Sequence, residues 1–235
     1  MIKYHVGNLI TAIKNKEVGL AGHGCNIWCS MGSGIAPLMA ELTPGVRNAD
    51  NATIRGSVDK LGTVTTAMAH KYSCVIINMY TQANTARFQG ELVVDYSAIS
   101  KIFKSMEQVM RCGKKSEMKY PMAIPLIGAG LAGGDWKVIE CIIDRVIKDE
   151  TVDVFVMPSA GDISKVLDCK DTDYWKVAFP VLREDGAYHM ATFDDDFNYV
   201  YHGIAASSVD GITESYKFIE GEFDIPYYSS TLFVE

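Results

Sequence analysis

Two glycine-rich segments of this 235-residue chain could hold a ligand through their backbone groups. Residues 22–36 contain Gly32 and Gly34, and residues 125–136 contain glycines at positions 128, 130, 133 and 134. Glycine lets a backbone approach a ligand closely, and a helix N-terminus that follows favours a phosphate. Each segment could therefore bind one phosphate of a diphosphate. Tight turns would also need these glycines without any ligand, and neither segment has the Walker or Gly-x-Gly-x-x-Gly spacing.

One titratable side chain accompanies each glycine-rich segment. His23 stands at the start of the first, and a histidine that titrates near neutral pH could exchange a proton with water or with a leaving group. Asp135 ends the second and could orient or activate water. Each residue also has a structural explanation. A histidine at a strand end can be a buried, hydrogen-bonded side chain, and an aspartate before a helix can be its N-cap.

Strand and helix patterns alternate around these segments as far as residue 157. Apolar runs predict five strands, at Ile2–Val6, Val18–His23, Ser73–Met79, Met122–Ile127 and Val152–Met157. Apolar residues recurring at three- and four-residue spacing predict helices over 95–112 and 135–148, which begin at Asp95 and Asp135, and a third helix is predicted over 33–42. This alternation predicts a largely parallel sheet covered by helices on both faces. Ligands bind such sheets at the carboxyl ends of the strands.

The composition changes beyond this part, so we predict one domain over residues 1–158 and an extension over 159–235. Residues 161–235 hold 14 of the 24 aromatic residues in short alternating stretches, which predicts a small β-rich structure. They carry 15 Asp and Glu against 5 Lys and Arg, a net charge of −10. Such an acidic surface repels the phosphates of duplex nucleic acid, which is therefore disfavoured as a partner. The extension could cover the ligand, pack behind the sheet, form a dimer contact or bind a partner protein.

Several other classes of protein are disfavoured by composition. No apolar run approaches the roughly 18 residues that a membrane span requires, so no membrane association is expected. The six cysteines lack the spacing of a disulfide framework, which favours reduced thiols and a cytoplasmic protein. Cys25 and Cys29 form the one close pair, but no second pair of ligands accompanies them, so no metal is expected.

Five separated blocks between residue 1 and about residue 157 resemble the macro domain family. In the family's order they are Val-Gly-Asn-Leu-Ile at 6–10, His-Gly-Cys-Asn and Met-Gly-Ser-Gly-Ile-Ala at 23–36, Asn-Met-Tyr-Thr-Gln at 78–82, Asp-Tyr at 95–96, and Ile-Gly-Ala-Gly-Leu-Ala-Gly-Gly-Asp-Trp at 127–136. They look most like the branch of ADP-ribose 1''-phosphate phosphatases and related ADP-ribosyl hydrolases. The resemblance implies a three-layer α/β/α fold with a mixed, largely parallel sheet. It also implies ADP-ribose or a derivative as ligand, including an ADP-ribosyl group carried by a protein, and no cofactor.

The resemblance assigns roles to particular residues. Asn8 and Leu9 would contact the adenine, and Asn26 would bind a hydroxyl of the distal ribose. Backbone amides would hold the diphosphate, at Gly32, Ser33, Gly34 and Ile35 in the first segment and at Gly128, Ala129, Gly130, Leu131 and Ala132 in the second. His23 and Asp135 would be the catalytic side chains of a metal-free dephosphorylation or ester hydrolysis.

The chain departs from the family's patterns at two places. Asn8 stands where family members often have aspartate, so an adenine contact there would lack charge assistance. The stretch 80–85, Tyr-Thr-Gln-Ala-Asn-Thr, has no lysine, which disfavours the covalent lysine mechanism of some macro domains. Two functions are therefore considered. One is a hydrolase of ADP-ribose 1''-phosphate or ADP-ribosyl esters, and the other is a non-enzymatic ADP-ribose reader whose extension binds a partner protein.

Overall fold

A computed structural model describes residues 1–85, 92–115, 121–157, 159, 162, 165–166, 179–182, 187–193, 199–207 and 233–234. The main body is a six-stranded sheet in the order β1-β6-β5-β2-β4-β3. Its strands are β1 (Ile2–Val6), β2 (Leu20–Asn26), β3 (Val64–Ala69), β4 (Cys74–Gln82), β5 (Met122–Pro125) and β6 (Val152–Val156). The predicted largely parallel sheet is therefore confirmed, since only the edge strand β3 runs antiparallel to its neighbour.

Helices cover both faces of this sheet, as the sequence predicts. They are α1 (Leu9–Lys14), α2 (Ala36–Leu42), α3 (Pro44–Asn51), α4 (Tyr96–Lys115) and α5 (Trp136–Val146). The apolar sides of α4 and α5 pack with β5 and β6 into one buried cluster, and those of α1 to α3 pack with β2 and β4 into another. The result is a three-layer α/β/α body with two cores separated by the sheet.

Both predicted aspartate caps are present. Asp135 accepts a hydrogen bond from the amide of Lys137 at 2.8 Å at the start of α5, and Asp95 accepts one from the amide of Ala98 at 2.8 Å at the start of α4. Each cap satisfies a first-turn N–H group that has no partner within its helix. The caps also fix where the chain turns from the sheet edge into each helix.

Three elements of this body were not predicted from sequence, and one was placed two residues early. Strand β3 carries two threonines and pairs only with β4 at the edge of the sheet, so it lacks the apolar run of a central strand. The short helices α1 and α3 were missed as well. Strand β2 begins at Leu20 rather than Val18 and continues to Asn26, because it pairs with β4 along its whole length. His23 consequently lies in the middle of a strand.

The extension contains a second sheet of four strands, in the order β10-β7-β8-β9. These are β7 (Phe179–Leu182), β8 (Tyr188–Phe193), β9 (Tyr199–Ala206) and β10 (Phe233–Val234). The predicted β-rich character is confirmed. Ala191 of β8 is fully buried within the core cluster of α4 and α5, and Tyr201 of β9 packs against the same cluster. In the part of the chain that the structure describes, no helix is long and apolar enough to cross a membrane.

Candidate functional site

A cleft of about 710 Å³ opens at the carboxyl ends of β2 and β5, between two loops. We call residues 27–35, which join β2 to α2, the first loop, and residues 126–135, which join β5 to α5, the second loop. The two loops approach each other directly, since a side chain at Gly34 would begin 3.9 Å from Cδ1 of Leu131. The volume is in the range of small-molecule sites.

The first loop presents backbone groups to the cleft. Ser33, Gly34 and Ile35 line it, and Gly34 has a φ of +61°, a conformation that favours glycine. Helix α2 begins immediately afterwards, and no side chain caps its first turn. The amides at the start of α2 therefore lie next to cleft-lining residues and have no side-chain acceptor. This is the arrangement that favours an anion.

The second loop lines the opposite wall from Gly128 to Ala132. Its internal hydrogen bonds use the amides of Ala129, Gly133 and Gly134, with the last donating to the carbonyl of Gly128 at 2.9 Å. The amides of residues 130–132 take no part in this internal bonding. Three consecutive N–H groups of the second loop therefore have no acceptor within that loop.

Asn26 lies at the end of β2, lines the cleft and is 8% exposed. Its Oδ1 accepts hydrogen bonds from the amides of Trp28 at 2.9 Å and Ser30 at 3.3 Å, and its Nδ2 donates to the carbonyl of Ser30 at 2.8 Å. The side chain therefore closes the turn over residues 26–30. One of its two amide protons is left for a ligand.

The sequence-based set left out several residues that line the cleft. Among them, Gln82 ends β4, Phe155 lies in β6 and Met157 directly after it, and Asp162 and Lys165 come from the extension, where Lys165 Nζ contacts Asp162 Oδ1 at 3.0 Å. The first three follow from the rule that ligands bind at the carboxyl ends of strands. The two extension residues carry no sequence signal for a ligand. Among the described residues, no three His, Cys, Asp or Glu side chains converge as a metal site would require.

His23 is not brought to the cleft. Its side chain is 0% exposed, and its Nε2 lies 2.8 Å from Oδ1 of Asn78, whose Nδ2 donates to the carbonyl of Val46 in α3. Burial lowers the pKa of the imidazole from 6.5 to about 4, against the opposing hydrogen bond with Asn78. The ring is therefore neutral at physiological pH and has no contact with solvent.

Four other predicted residues also lie away from the cleft lining. Asn8 caps α1 through its Oδ1, which accepts from the amide of Ile10 at 2.8 Å, and Leu9 is buried within α1. Gly32 lies in the first loop outside the lining residues. Asp135 lies beside the cleft in a hollow of about 260 Å³ that shares Lys165 with it. Burial raises the pKa of the Asp135 carboxyl above its usual range.

The comparisons with known proteins agree with this architecture. No protein-family model matches the chain. A 17.5 kDa protein from the tk–vs intergenic region of Enterobacteria phage T4 is 32% identical over 150 residues, which cover 61% of this chain and 88% of the phage protein. A structure from Bacteroides thetaiotaomicron has a TM-score of 0.53 at 23% identity, over 66% of this chain and 97% of its own. The Oceanobacillus iheyensis macrodomain with ADP has a TM-score of 0.52 at 13% identity, over 72% and 88%.

We expect Gly134→Ala to destabilise the fold, whereas Gly130→Ala should be nearly neutral. A Cβ at Gly134 would lie 2.6 Å from Cγ1 of Val94 and 2.8 Å from the carbonyl oxygen of Gly128, but nothing lies within 4 Å of one at Gly130. Overpacking of this kind costs about 1–3 kcal/mol, and a surface change about 0.5 kcal/mol or less. Urea denaturation measures both. Equal losses in the two variants would mean that the second loop is not packed as described.

The buried imidazole should also make stability fall in acid. The unfolded state binds a proton at His23 below pH 6.5, whereas the folded state does so only below about pH 4. The free energy of unfolding therefore decreases as pH falls through this window and levels off below it, by about 3 kcal/mol in total. His23→Gln should remove this contribution, so its pH profile should be flatter than that of the wild type between pH 6.5 and pH 4. Parallel profiles would contradict the burial of His23.

Proposed function

The chain belongs to the family of the phage T4 tk–vs protein and has the macrodomain fold, and we propose that it binds ADP-ribose in the cleft between its two loops. The observation that carries the proposal is the pair of glycine-rich loops facing each other across about 710 Å³. A macrodomain of the same fold, from Oceanobacillus iheyensis, has been solved with ADP. A nucleoside diphosphate is therefore the core of the expected ligand.

The diphosphate would lie between the two loops. The amides at residues 34–35 precede a helix without a side-chain cap, and those at residues 130–132 stand outside the internal bonding of the second loop. Backbone N–H groups and a helix N-terminus bind phosphate oxygens without requiring a cationic side chain. Opposed sets of donors are suited to a diphosphate because each set can hold one of its two phosphates.

The two ends of the cleft differ in chemistry, as the two ends of ADP-ribose do. Asn26 keeps one free amide proton and lies beside Gly24 and Gln82, so this end suits the hydroxyls of the distal ribose. Phe155 and Met157 give the other end an apolar surface suited to adenine. His5 holds the Phe155 ring from behind, at 5.1 Å between ring centroids and 18° between planes. Asn8 could still contact adenine through its Nδ2, since its Oδ1 caps α1.

Isothermal titration of the full chain with ADP-ribose tests this proposal. We expect micromolar binding. Gly130→Glu should weaken it at least about tenfold relative to Gly130→Gln, because a carboxylate among the phosphate donors repels the ligand. Glutamate and glutamine have nearly the same size, and position 130 has open space for either, so the pair isolates charge. Absence of heat in the wild type, or equal affinities in the two variants, would refute the assigned position of the diphosphate.

A second candidate function is hydrolysis of a phosphate or ester attached to the distal ribose. The observation that favours it is the half-buried carboxyl of Asp135, which adjoins the cleft and whose pKa burial raises. The carboxylate caps α5 through the amides of Lys137 and Val138, and its remaining lone pairs would orient water. His23, enclosed beneath α3, would hold the middle of β2 against β4 instead of transferring a proton.

Assays with ADP-ribose 1''-phosphate and with ADP-ribosylated protein test the hydrolysis. We expect Asp135→Asn to lower kcat by about a hundredfold or more, because general-base assistance contributes this much, while ADP-ribose affinity is retained. Asparagine also caps helices, so the fold should be kept. His23→Gln should leave kcat unchanged in protein that remains folded. If the wild type binds ADP-ribose but releases no product from either substrate, the chain is a reader and the hydrolytic proposal fails.

A further inference from the structure

A buried lysine lies against a cysteine of the first loop, and neither residue lines the cleft. Lys60 is 6% exposed and ends a short 3-10 helix at Val58–Lys60. Its Nζ lies 3.1 Å from Sγ of Cys29, 3.1 Å from the carbonyl oxygen of Ile27 and 3.4 Å from Oδ1 of Asp50. The Tyr80 ring lies below the same nitrogen, at 4.3 Å to the centroid. These contacts therefore hold Nζ of Lys60 close to Sγ of Cys29.

Cys29 occupies the most constrained position of the first loop. It has a φ of +54°, which residues other than glycine seldom adopt, and its Sγ also contacts the carbonyl oxygen of Asp50 at 3.4 Å. The residue is only partly buried, in contrast to Cys25. A partly exposed cysteine beside a lysine is typical of oxidisable cysteines.

We propose that Cys29 and Lys60 form a reversible oxidation site whose co-reactant is a hydroperoxide. The Cys29 thiol takes one oxygen from hydrogen peroxide, which gives a sulfenic acid and one water. The ammonium of Lys60 releases a proton to Asp50, and the resulting amine attacks the sulfur. An S–N bond forms, the S–O bond breaks, and the hydroxyl leaves with a proton from the amine as a second water. Sulfur is thereby oxidised by two electrons, and peroxide is reduced to water.

The cross-link would change the cleft, because Cys29 lies within the turn that Asn26 closes. Shortening the 3.1 Å separation to a covalent bond draws the loop towards Lys60 and strains the 2.8 Å hydrogen bond from Asn26 to the carbonyl of Ser30. Both Asn26 and Ser30 line the cleft. We therefore expect ligand affinity to fall several-fold on oxidation. This consequence rests on the proposed binding of ADP-ribose, whereas the cross-link itself does not.

Peptide mapping of the full chain after treatment with hydrogen peroxide tests the site. Free thiols are blocked, the protein is digested, and the peptides are identified by tandem mass spectrometry. We expect a linked pair of peptides joined at Cys29 and Lys60 and lighter by two hydrogen atoms than the two peptides together. Dithiothreitol should release the pair, because a thiol attacks the sulfur and returns the amine. Calorimetry with ADP-ribose on reduced, oxidised and re-reduced protein then measures the effect on the cleft.

Two variants control the chemistry. Lys60→Arg keeps a cation beside Asp50 but removes the nucleophilic amine, so Cys29 should proceed to sulfenic or sulfinic acid without a link. Cys112→Ser removes an exposed thiol and should leave the link unchanged. Oxidation of Cys112 with Cys29 untouched, a disulfide between Cys25 and Cys29, or a link from Cys29 to a residue other than Lys60 would each overturn the proposal. If reduced protein fails to bind ADP-ribose, the proposed function fails while the peptide map still decides the cross-link.

Discussion

The parallel pairing of β2 with both β4 and β5 is the interaction on which the rest of the molecule depends. Leu20 pairs with Val75 on one side and with Met122 on the other, so β2 lies at the centre of the sheet. The loops that follow β2 and β5 therefore leave the same edge of the sheet, side by side. A shift of one residue in this register would exchange the two faces of β2 and send His23 to the opposite core. The position of the cleft is thus a consequence of strand pairing.

Glycine is present in the second loop for two different reasons. Gly128, with a φ of +74°, and Gly134 are required by packing, since a Cβ at either would meet Val94 at less than 3 Å. Gly130 has open space around it and needs no such explanation. Packing alone accounts for the first two glycines. A ligand that approaches the backbone closely would account for the third, so the contrast between these positions bears on function.

Sequence patterns predicted the strands that are buried on both faces and the helices whose apolar residues recur at helical spacing. Strands β4 to β6 read as apolar runs, and α4 and α5 show helical spacing after an aspartate cap, because these elements are buried against the sheet. Strand β3 was missed because an edge strand needs no continuous apolar run.

The residues of the candidate site were predicted only in part. The glycines and Asn26 are local features of the loops, but the enclosure of His23 depends on Asn78 and α3, which are distant in sequence. Asp162 and Lys165 reach the cleft only through tertiary packing.

The cleft and the Cys29–Lys60 pair share one structural element, the turn over residues 26–30. A crystal structure of the full chain with ADP-ribose tests the central claim most directly, since it locates the diphosphate relative to the two loops. We expect phosphate oxygens within about 2.7–3.2 Å of the amides at residues 34–35 and 130–132. A ligand bound elsewhere on the molecule, or one whose diphosphate contacts neither loop, would contradict the account.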